Sequence, residues 1–72
     1  MAHIKFVGFL RDIIKKQQVE VYLKDPKKVR DLLPSVLPED NIIVLINQKG
    51  ATLDSIVEND DKVLILPVIS GG

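Results

Sequence analysis

The sequence of 72 residues contains no cysteine, no tryptophan and a single histidine. Without cysteine there is no disulfide and no thiolate metal site, and one histidine cannot form a zinc site alone, so no bound metal is expected. The lack of disulfides is typical of cytosolic proteins. A chain this short has room for one domain and cannot enclose a deep pocket. We therefore expect a protein that is not catalytic alone.

Neither a net charge of one sign nor a long hydrophobic run is present. Ten basic and ten acidic residues cancel, which leaves no overall field for collecting nucleic-acid phosphates. The longest apolar run, residues 42–46, is far shorter than the roughly 20 residues of a membrane span. The start, Met1-Ala2-His3, lacks the features of a signal peptide. These absences predict a cytoplasmic protein without nucleic-acid or membrane partners.

What the chain does have is a 46% share of apolar residues, arranged in short periodic segments. Residues 4–9 alternate in character and predict a first strand. Leu10, Ile13 and Ile14 have helical spacing and predict a brief amphipathic turn. Residues 19–23 alternate with a period of two and predict a strand that returns beside the first.

The fullest apolar stripe lies in residues 29–37, at i, i+3, i+4, i+7 and i+8, and predicts the main helix. Asp25-Pro26 predicts its start, because Asp caps free N–H groups and Pro suits the first helical position. Pro34 interrupts this pattern and predicts a kink or a late start. Residues 42–46 predict a strand that is buried on both faces or nearly so.

The remaining segments complete the fold prediction. Residues 47–50 predict a turn, residues 52–61 an irregular segment, and residues 62–66 a last strand that Pro67 closes. The resulting order is strand, strand, helix, strand, irregular segment, strand. It predicts an α+β fold in which a mixed sheet of four to five strands packs on one main helix.

Two lysines indicate how this sheet faces. Lys5 and Lys62 alternate with apolar neighbours, so the face that carries them points away from the helix. The opposite face is predicted to form the core, with contributions from Ile4, Phe6, Val63, Ile65, Val29, Leu32, Leu33 and Val36. Val7, Leu64 and Leu66 remain as an apolar patch on the charged face, which indicates either a partner or ordinary surface residues.

The chain ends, after Pro67, in Val68-Ile69-Ser70-Gly71-Gly72. Because glycine has no Cβ, a Gly-Gly end can enter a narrow channel in another protein and present its terminal carboxylate there. A frayed terminus is the alternative interpretation.

Three segments and the tail resemble the β-grasp, ubiquitin-like sulfur carriers, above all the small subunit of molybdopterin synthase. The resemblance runs from Ile4 to Gly72. Its most specific part is the closing block from Asp61 onward, which combines an acidic turn, an apolar strand, proline and terminal Gly-Gly. The other segments are Phe6-Val7-Gly8-Phe9-Leu10-Arg11-Asp12, Val29-Arg30-Asp31-Leu32-Leu33 and Ile46-Asn47-Gln48. The resemblance implies a β-grasp domain over residues 1–67 and a flexible tail over residues 68–72.

The resemblance also implies a function and its residues. A ubiquitin-activating-type adenylyltransferase would use ATP to adenylate Gly72, and a sulfur donor protein would convert it to a thiocarboxylate. The tail residues Gly71 and Ser70 would carry this group into the large subunit of molybdopterin synthase, which builds the dithiolene that holds molybdenum or tungsten. No cofactor would be bound by the chain itself. The partner-binding residues would be Val7, Leu64, Leu66, Pro67, Val68 and Ile69.

Two departures keep other pathways open. Synthase small subunits commonly have two prolines before the tail, whereas this chain has Pro67-Val68. The pair Val68-Ile69 is more like the corresponding residues of the thiamine-pathway sulfur carrier. Asp60 replaces a usual glycine, although Asp tolerates a left-handed conformation better than most residues. The helical insert over residues 10–18 favours the molybdopterin branch. The alternatives are a thiamine or tRNA-thiolation sulfur carrier, a ubiquitin-like modifier joined to lysines through Gly72, and a plain interaction domain.

Overall fold

The computed structural model describes residues 1–68, and its elements follow one another closely along the chain. Two short helices and seven strands are present among these residues. They are β1 (Ala2–Phe6), α1 (Phe9–Ile14), β2 (Gln18–Val21), β3 (Lys27–Lys28), α2 (Val29–Leu32), β4 (Ile42–Ile46), β5 (Lys49–Ala51), β6 (Ile56–Val57) and β7 (Lys62–Pro67).

Five of the strands form one mixed sheet in the order β2-β1-β7-β4-β5. β1 runs antiparallel to β2 and parallel to β7, while β4 is antiparallel to both β7 and β5. The predicted hairpin of the first two strands, with a helical turn between them, is confirmed. The last strand of the chain therefore lies in the centre of the sheet.

One face of this sheet forms the core. Along β1 and β7 the buried positions alternate with exposed or half-buried ones, as the period of two requires. Among the predicted core residues, Ile4, Phe6, Val63 and Ile65 are at most 3% exposed. Leu10 of α1 and Val29 of α2 are buried against the same cluster, which confirms the predicted direction of the sheet faces.

The predicted main helix over residues 29–37 is wrong in its extent. α2 ends at Leu32, and Leu33 is extended with φ −92° and ψ 142°. The cause is Pro34, because the ring of a proline disfavours helical geometry at the residue before it. Val36, predicted in the core, is 65% exposed, whereas Leu37 is buried without being helical.

The predicted helix start at Asp25-Pro26 is also wrong. Lys27–Lys28 forms β3, which pairs with β6 in a second, two-stranded sheet. The first free N–H groups of α2 are satisfied from the same neighbouring loop. Val29 donates to the Ser55 carbonyl and Arg30 to the Leu53 carbonyl, each at 3.0 Å. Tertiary contacts thus replace the side-chain cap that the sequence suggested.

Two further expectations need correction. β4 is not buried on both faces, since Val44 is its one fully buried residue and Ile43 is 44% exposed. The segment over residues 47–61 is more regular than expected, because it contributes β5 and β6. Asp60 adopts the left-handed conformation, with φ 74°, that its place in the family pattern requires. No helix within residues 1–68 is long and apolar enough to cross a membrane.

The core assignment predicts a large difference between two isoleucines of the same chain. Ile65→Ala removes a side chain with no exposed surface and should lower the free energy of unfolding by about 2–5 kcal/mol. Ile56→Ala is the matched control, because Ile56 is 53% exposed, and it should cost less than about 1 kcal/mol. Urea denaturation followed by circular dichroism measures both values. Equal losses would contradict the assignment of Ile65 to the core.

Candidate functional site

The candidate site begins where β7 leaves the sheet. Pro67 is the last strand residue, and the Val68 N–H donates to the Asn41 carbonyl at 2.8 Å. This bond continues the ladder between β7 and β4 by one residue. The predicted tail residues Ile69, Ser70, Gly71 and Gly72 lie outside the described residues. The division into a domain of residues 1–67 and a tail therefore stays a prediction.

On the other side of β7, the start of the tail is packed against Gly8. Gly8 has φ 66° and ψ −144°, a conformation that is essentially restricted to glycine. A Cβ built on Gly8 would lie 3.1 Å from Cγ of Pro67, which is closer than such contacts usually are. Both the backbone conformation and the available space therefore require glycine here.

Pro67 also ends the pairing between β7 and β1. The Val7 N–H donates to the Ile65 carbonyl at 3.0 Å. Successive N–H groups of a strand point to opposite neighbours, and Val68 already points to the β4 side. The next donor towards β1 would be Pro67, which has no N–H. Val68, the last described residue, is thus bonded to the β4 side.

The solvent-facing side of the sheet, called the open face below, carries the predicted patch. Paired strand residues share a face, so the registers place Leu64 beside Leu45 and Lys5, and Leu66 beside Ile43. Leu64 and Leu66 are half-buried, as the predicted parity requires. The sequence prediction missed Ile43 and Leu45, because it treated β4 as buried on both faces. All five residues of β4 are apolar, so the sequence contained no alternation that could have identified them.

Charged residues border this patch. Lys5 and Lys62 are exposed on the open face, and neither belongs to any ion pair found among residues 1–68. His3 lies 3.6 Å from Glu20 across the pairing of β1 and β2. The predicted contact residue Val7 is half-buried beyond the end of β1. The open face thus combines an apolar centre with a partly basic border.

Arg30 connects α2 to the two loops beside the start of the tail. Its Nε donates to Oδ1 of Asp54 at 2.9 Å, and its Nη1 donates to Oε1 of Glu39 at 3.0 Å. The hydrogen bond and the charge of Asp54 raise the pKa of Arg30 above its ordinary value. Arg30 therefore stays charged, and its contact with Glu39 ties down the segment that leads to Asn41.

The acidic residues of the second half do not converge on one point. Asp54 contacts Arg30, while Asp61 accepts hydrogen bonds from the Asn47 side chain and from the Glu58 N–H. Within residues 1–68, no three His, Cys, Asp or Glu side chains form a group that could hold a metal ion. These carboxylates serve local loop structure in the part of the chain that is described.

The arrangement defines a class of protein, namely a small domain whose last described strand, β7, lies in the centre of a mixed sheet. The chain belongs to the ThiS family, which it matches over residues 4–72. This family comprises sulfur carriers and modifiers with a ubiquitin-like fold. A search among curated protein sequences gives no match.

Solved structures confirm the predicted β-grasp fold. SAMP1 from Haloferax volcanii is 21% identical with a TM-score of 0.76, and the match covers 99% of this chain and 98% of that one. A candidate molybdopterin converting factor, subunit 1, from Pyrococcus furiosus is 18% identical with a TM-score of 0.73 over 94% and 97% of the two chains. Urm1 from Sulfolobus solfataricus is 20% identical with a TM-score of 0.64 over 92% and 99%.

Proposed function

We propose that this chain is a cytoplasmic sulfur carrier, the small subunit of a molybdopterin synthase, with Gly72 as its reactive residue. The observation that carries the proposal is the central strand β7. It ends at Pro67 in a fixed place, and the sequence then continues for a few residues to a terminal Gly-Gly. Membership of the ThiS family supports the same conclusion.

The chemistry requires that Gly72 be activated first. A carboxylate resists nucleophilic attack, because neither of its oxygens is a good leaving group. Attack of a Gly72 oxygen on the α-phosphorus of ATP forms an acyl-adenylate and releases pyrophosphate. The terminal sulfur of a persulfide on the donor protein then attacks the carbonyl carbon, and AMP leaves with the shared oxygen. The product is an acyl disulfide that joins Gly72 to the donor. A thiol reductant breaks its S–S bond, is itself oxidised to a disulfide, and releases a thiocarboxylate at Gly72, which is a good nucleophile.

The catalytic groups for these steps belong to partners in this proposal. Two short helices and two sheets leave the described residues with open depressions rather than a pocket that could enclose ATP or a pterin. The partners are a ubiquitin-activating-type adenylyltransferase, a sulfur donor protein and the synthase large subunit. We assign the open face, with Val7, Leu64 and Leu66, to docking on these proteins, and we add Ile43 and Leu45 to this surface because they share the face. The tail residues 68–72 would then reach into the partner.

The molybdopterin role is favoured over a thiamine role by the first hairpin. α1 (Phe9–Ile14) lies between β1 and β2, where a thiamine-type carrier resembling this fold has a tight turn. The Pyrococcus neighbour bears a molybdopterin-related name. Val68-Ile69 points towards the thiamine branch, so the choice depends on the insert and on Pro67.

A second candidate function is a ubiquitin-like modifier that is joined to lysines through Gly72. The observation that favours it is the fold match to a small archaeal modifier protein from Haloferax volcanii. Both functions use the same activation of Gly72. They differ in the nucleophile that attacks the adenylate, which is sulfur in one case and a lysine amine, directly or through a thioester, in the other.

Removing Gly72 should abolish activation and leave the fold intact, because the residue carries the reacting carboxylate and lies beyond the sheet. Adding one residue after Gly72 should have the same effect. Adding one residue before Met1 is the control and should leave activation unchanged. Exchange of pyrophosphate into ATP with the adenylyltransferase of the same host measures activation. Full exchange by the shortened chain would refute the carrier function.

Changing Leu66 to aspartate should weaken the complex with the synthase large subunit by about 3 kcal/mol, roughly a hundredfold in Kd. The reason is that a charge without a partner would be buried in the interface. Val36→Asp is the control, because Val36 is exposed and lies outside the sheet, and its complex should have native affinity. Calorimetric titration measures the affinities.

Circular dichroism separates docking from folding in this experiment. Leu66→Asp should keep a native spectrum, whereas Ile65→Asp should not fold, since Ile65 has no exposed surface. An unfolded Leu66→Asp variant would place Leu66 in the core and would contradict the assignment of the open face.

Intact-mass analysis of the chain purified from its own host separates the carrier from the modifier. A carrier should be present partly as a free chain in which one carboxylate oxygen is replaced by sulfur. A modifier should leave Gly-Gly remnants on lysines of other proteins after digestion. Abundant lysine conjugates without any thiocarboxylate would overturn the carrier function in favour of the modifier.

A further inference from the structure

We propose that Gly8, Asn41 and Pro67 form a collar that sets the direction in which the tail leaves the domain, and that this collar positions Gly72 for activation. The geometric part follows from contacts among residues 1–68. The part that concerns activation rests on the proposed function. The three residues come from separate regions of the chain and meet around the end of β7.

Asn41 forms the first side of the collar. Its φ of 61° is left-handed, a conformation that asparagine tolerates better than most residues. In this conformation its carbonyl accepts the Val68 N–H at 2.8 Å. Two residues earlier, Glu39 is held by Arg30, whose own Nε contacts Asp54. The acceptor for Val68 is therefore supported by α2 and by the loop before β6.

Gly8 forms the opposite side. It lies in the turn between β1 and α1, and the Pro67 ring packs against it closely enough that a Cβ would come to 3.1 Å from Cγ. Any other residue would force the proline ring to move and would also strain a backbone at φ 66°. The absence of a side chain at Gly8 thus allows the ring of Pro67 to lie where it does.

Pro67 restricts the backbone conformation and ends the pairing of β7 with β1. Its ring fixes φ near −65°, which limits the directions that the chain can take at this point. Because Pro67 lacks an N–H, it cannot donate to β1, so the pairing of β7 with β1 ends at this residue. Val68 is still bonded to Asn41 on the β4 side.

The length of the tail explains why this direction matters. Gly72 lies four positions after Val68, and an extended chain of four residues spans at most about 14 Å. A change of about 20° at the collar would therefore displace the terminal carboxylate by about 5 Å. Misplacement of a reacting group by about 1 Å can cost two orders of magnitude in rate. A domain docked through its open face would gain from a fixed exit for the tail.

The absence of cysteine allows a direct measurement of the exit direction. The double variant Lys49→Cys, Ile69→Cys can be labelled with nitroxides at these two positions only. Lys49 pairs with Ile46, and Ile46 pairs with Val63 near the start of β7. Lys49 therefore lies at the end of the sheet opposite Pro67, and the distance between the labels runs along the strands. Pulsed electron spin resonance then gives the distance distribution.

We expect a broader or shifted distance distribution when Gly8→Ala is added to the labelled protein. Pro67→Ala should have the same effect, and it removes the proline ring without straining the backbone at Gly8. Gly50→Ala is the matched control, because nothing lies within 4 Å of a Cβ at Gly50, and its distribution should equal that of the parent. Circular dichroism verifies that each variant is folded. If Gly8→Ala does not fold, Pro67→Ala decides the question. A native distribution in the folded collar variants would overturn the collar.

Pyrophosphate exchange with the host adenylyltransferase tests the positioning role. Gly8→Ala should lower kcat by about tenfold, because Gly72 is misdirected, while KM stays within about twofold, because Gly8 is not one of the proposed partner-binding residues. An unchanged kcat, or a raised KM alone, would overturn the positioning role. A native chain that supports no exchange would instead refute the carrier function, and the distance distributions would still decide the geometry of the collar.

Discussion

The central position of β7 is the constraint on which the rest of the structure depends. This last strand lies between β1 and β4, parallel to one and antiparallel to the other. Its alternation places Val63 and Ile65 in the core and Leu64 and Leu66 on the open face. One strand thus supplies the middle of the core, the middle of the proposed docking surface and the start of the tail. Because its partners are distant in sequence, the sheet closes only when the whole chain is available.

The same constraint is consistent with the proposed function, in which partner proteins supply the catalytic groups. A tail that leaves from the centre of a sheet has a rigid base on two sides, whereas one that leaves from an edge strand has support on one side only. In the collar, the Asn41 carbonyl and the space at Gly8 hold Val68 and Pro67 from opposite directions. In the proposed function, the domain would hold the base of the tail in place while partner proteins supply the catalytic groups.

The structural neighbours show how little sequence identity this architecture needs. Identities of 18–21% accompany TM-scores of 0.64–0.76 over nearly complete chains. The fold requires apolar side chains at every second position of its strands, so that they face the common core. Many combinations of Val, Ile and Leu satisfy this requirement. The neighbours carry names of both modifier and molybdopterin-related proteins, so the fold leaves the pathway open.

The sequence by itself determined the faces of β1 and β7, and it contains the Gly-Gly end that suggests a tail. The alternation in residues 2–6 and 62–67 reports directly which side chains share a face, and the terminal Gly71-Gly72 is readable without coordinates. These features are local, since each depends on neighbours within a few residues. The left-handed conformation of Asp60, in contrast, was left open by the sequence and is given by the structure.

The tertiary structure alone decided which segments meet. The apolar stripe over residues 29–37 satisfied a helical period, but Pro34 ended α2 at Leu32, and Leu37 reached the core without a helix. Ile43 faces outward because β4 pairs with β7 in a register that no local pattern contains. Gly8 and Pro67 are separated by most of the chain, and their contact exists because β1 and β7 run parallel side by side. Periodicity records the faces of an element, whereas topology, which depends on long-range packing, decides what each face touches.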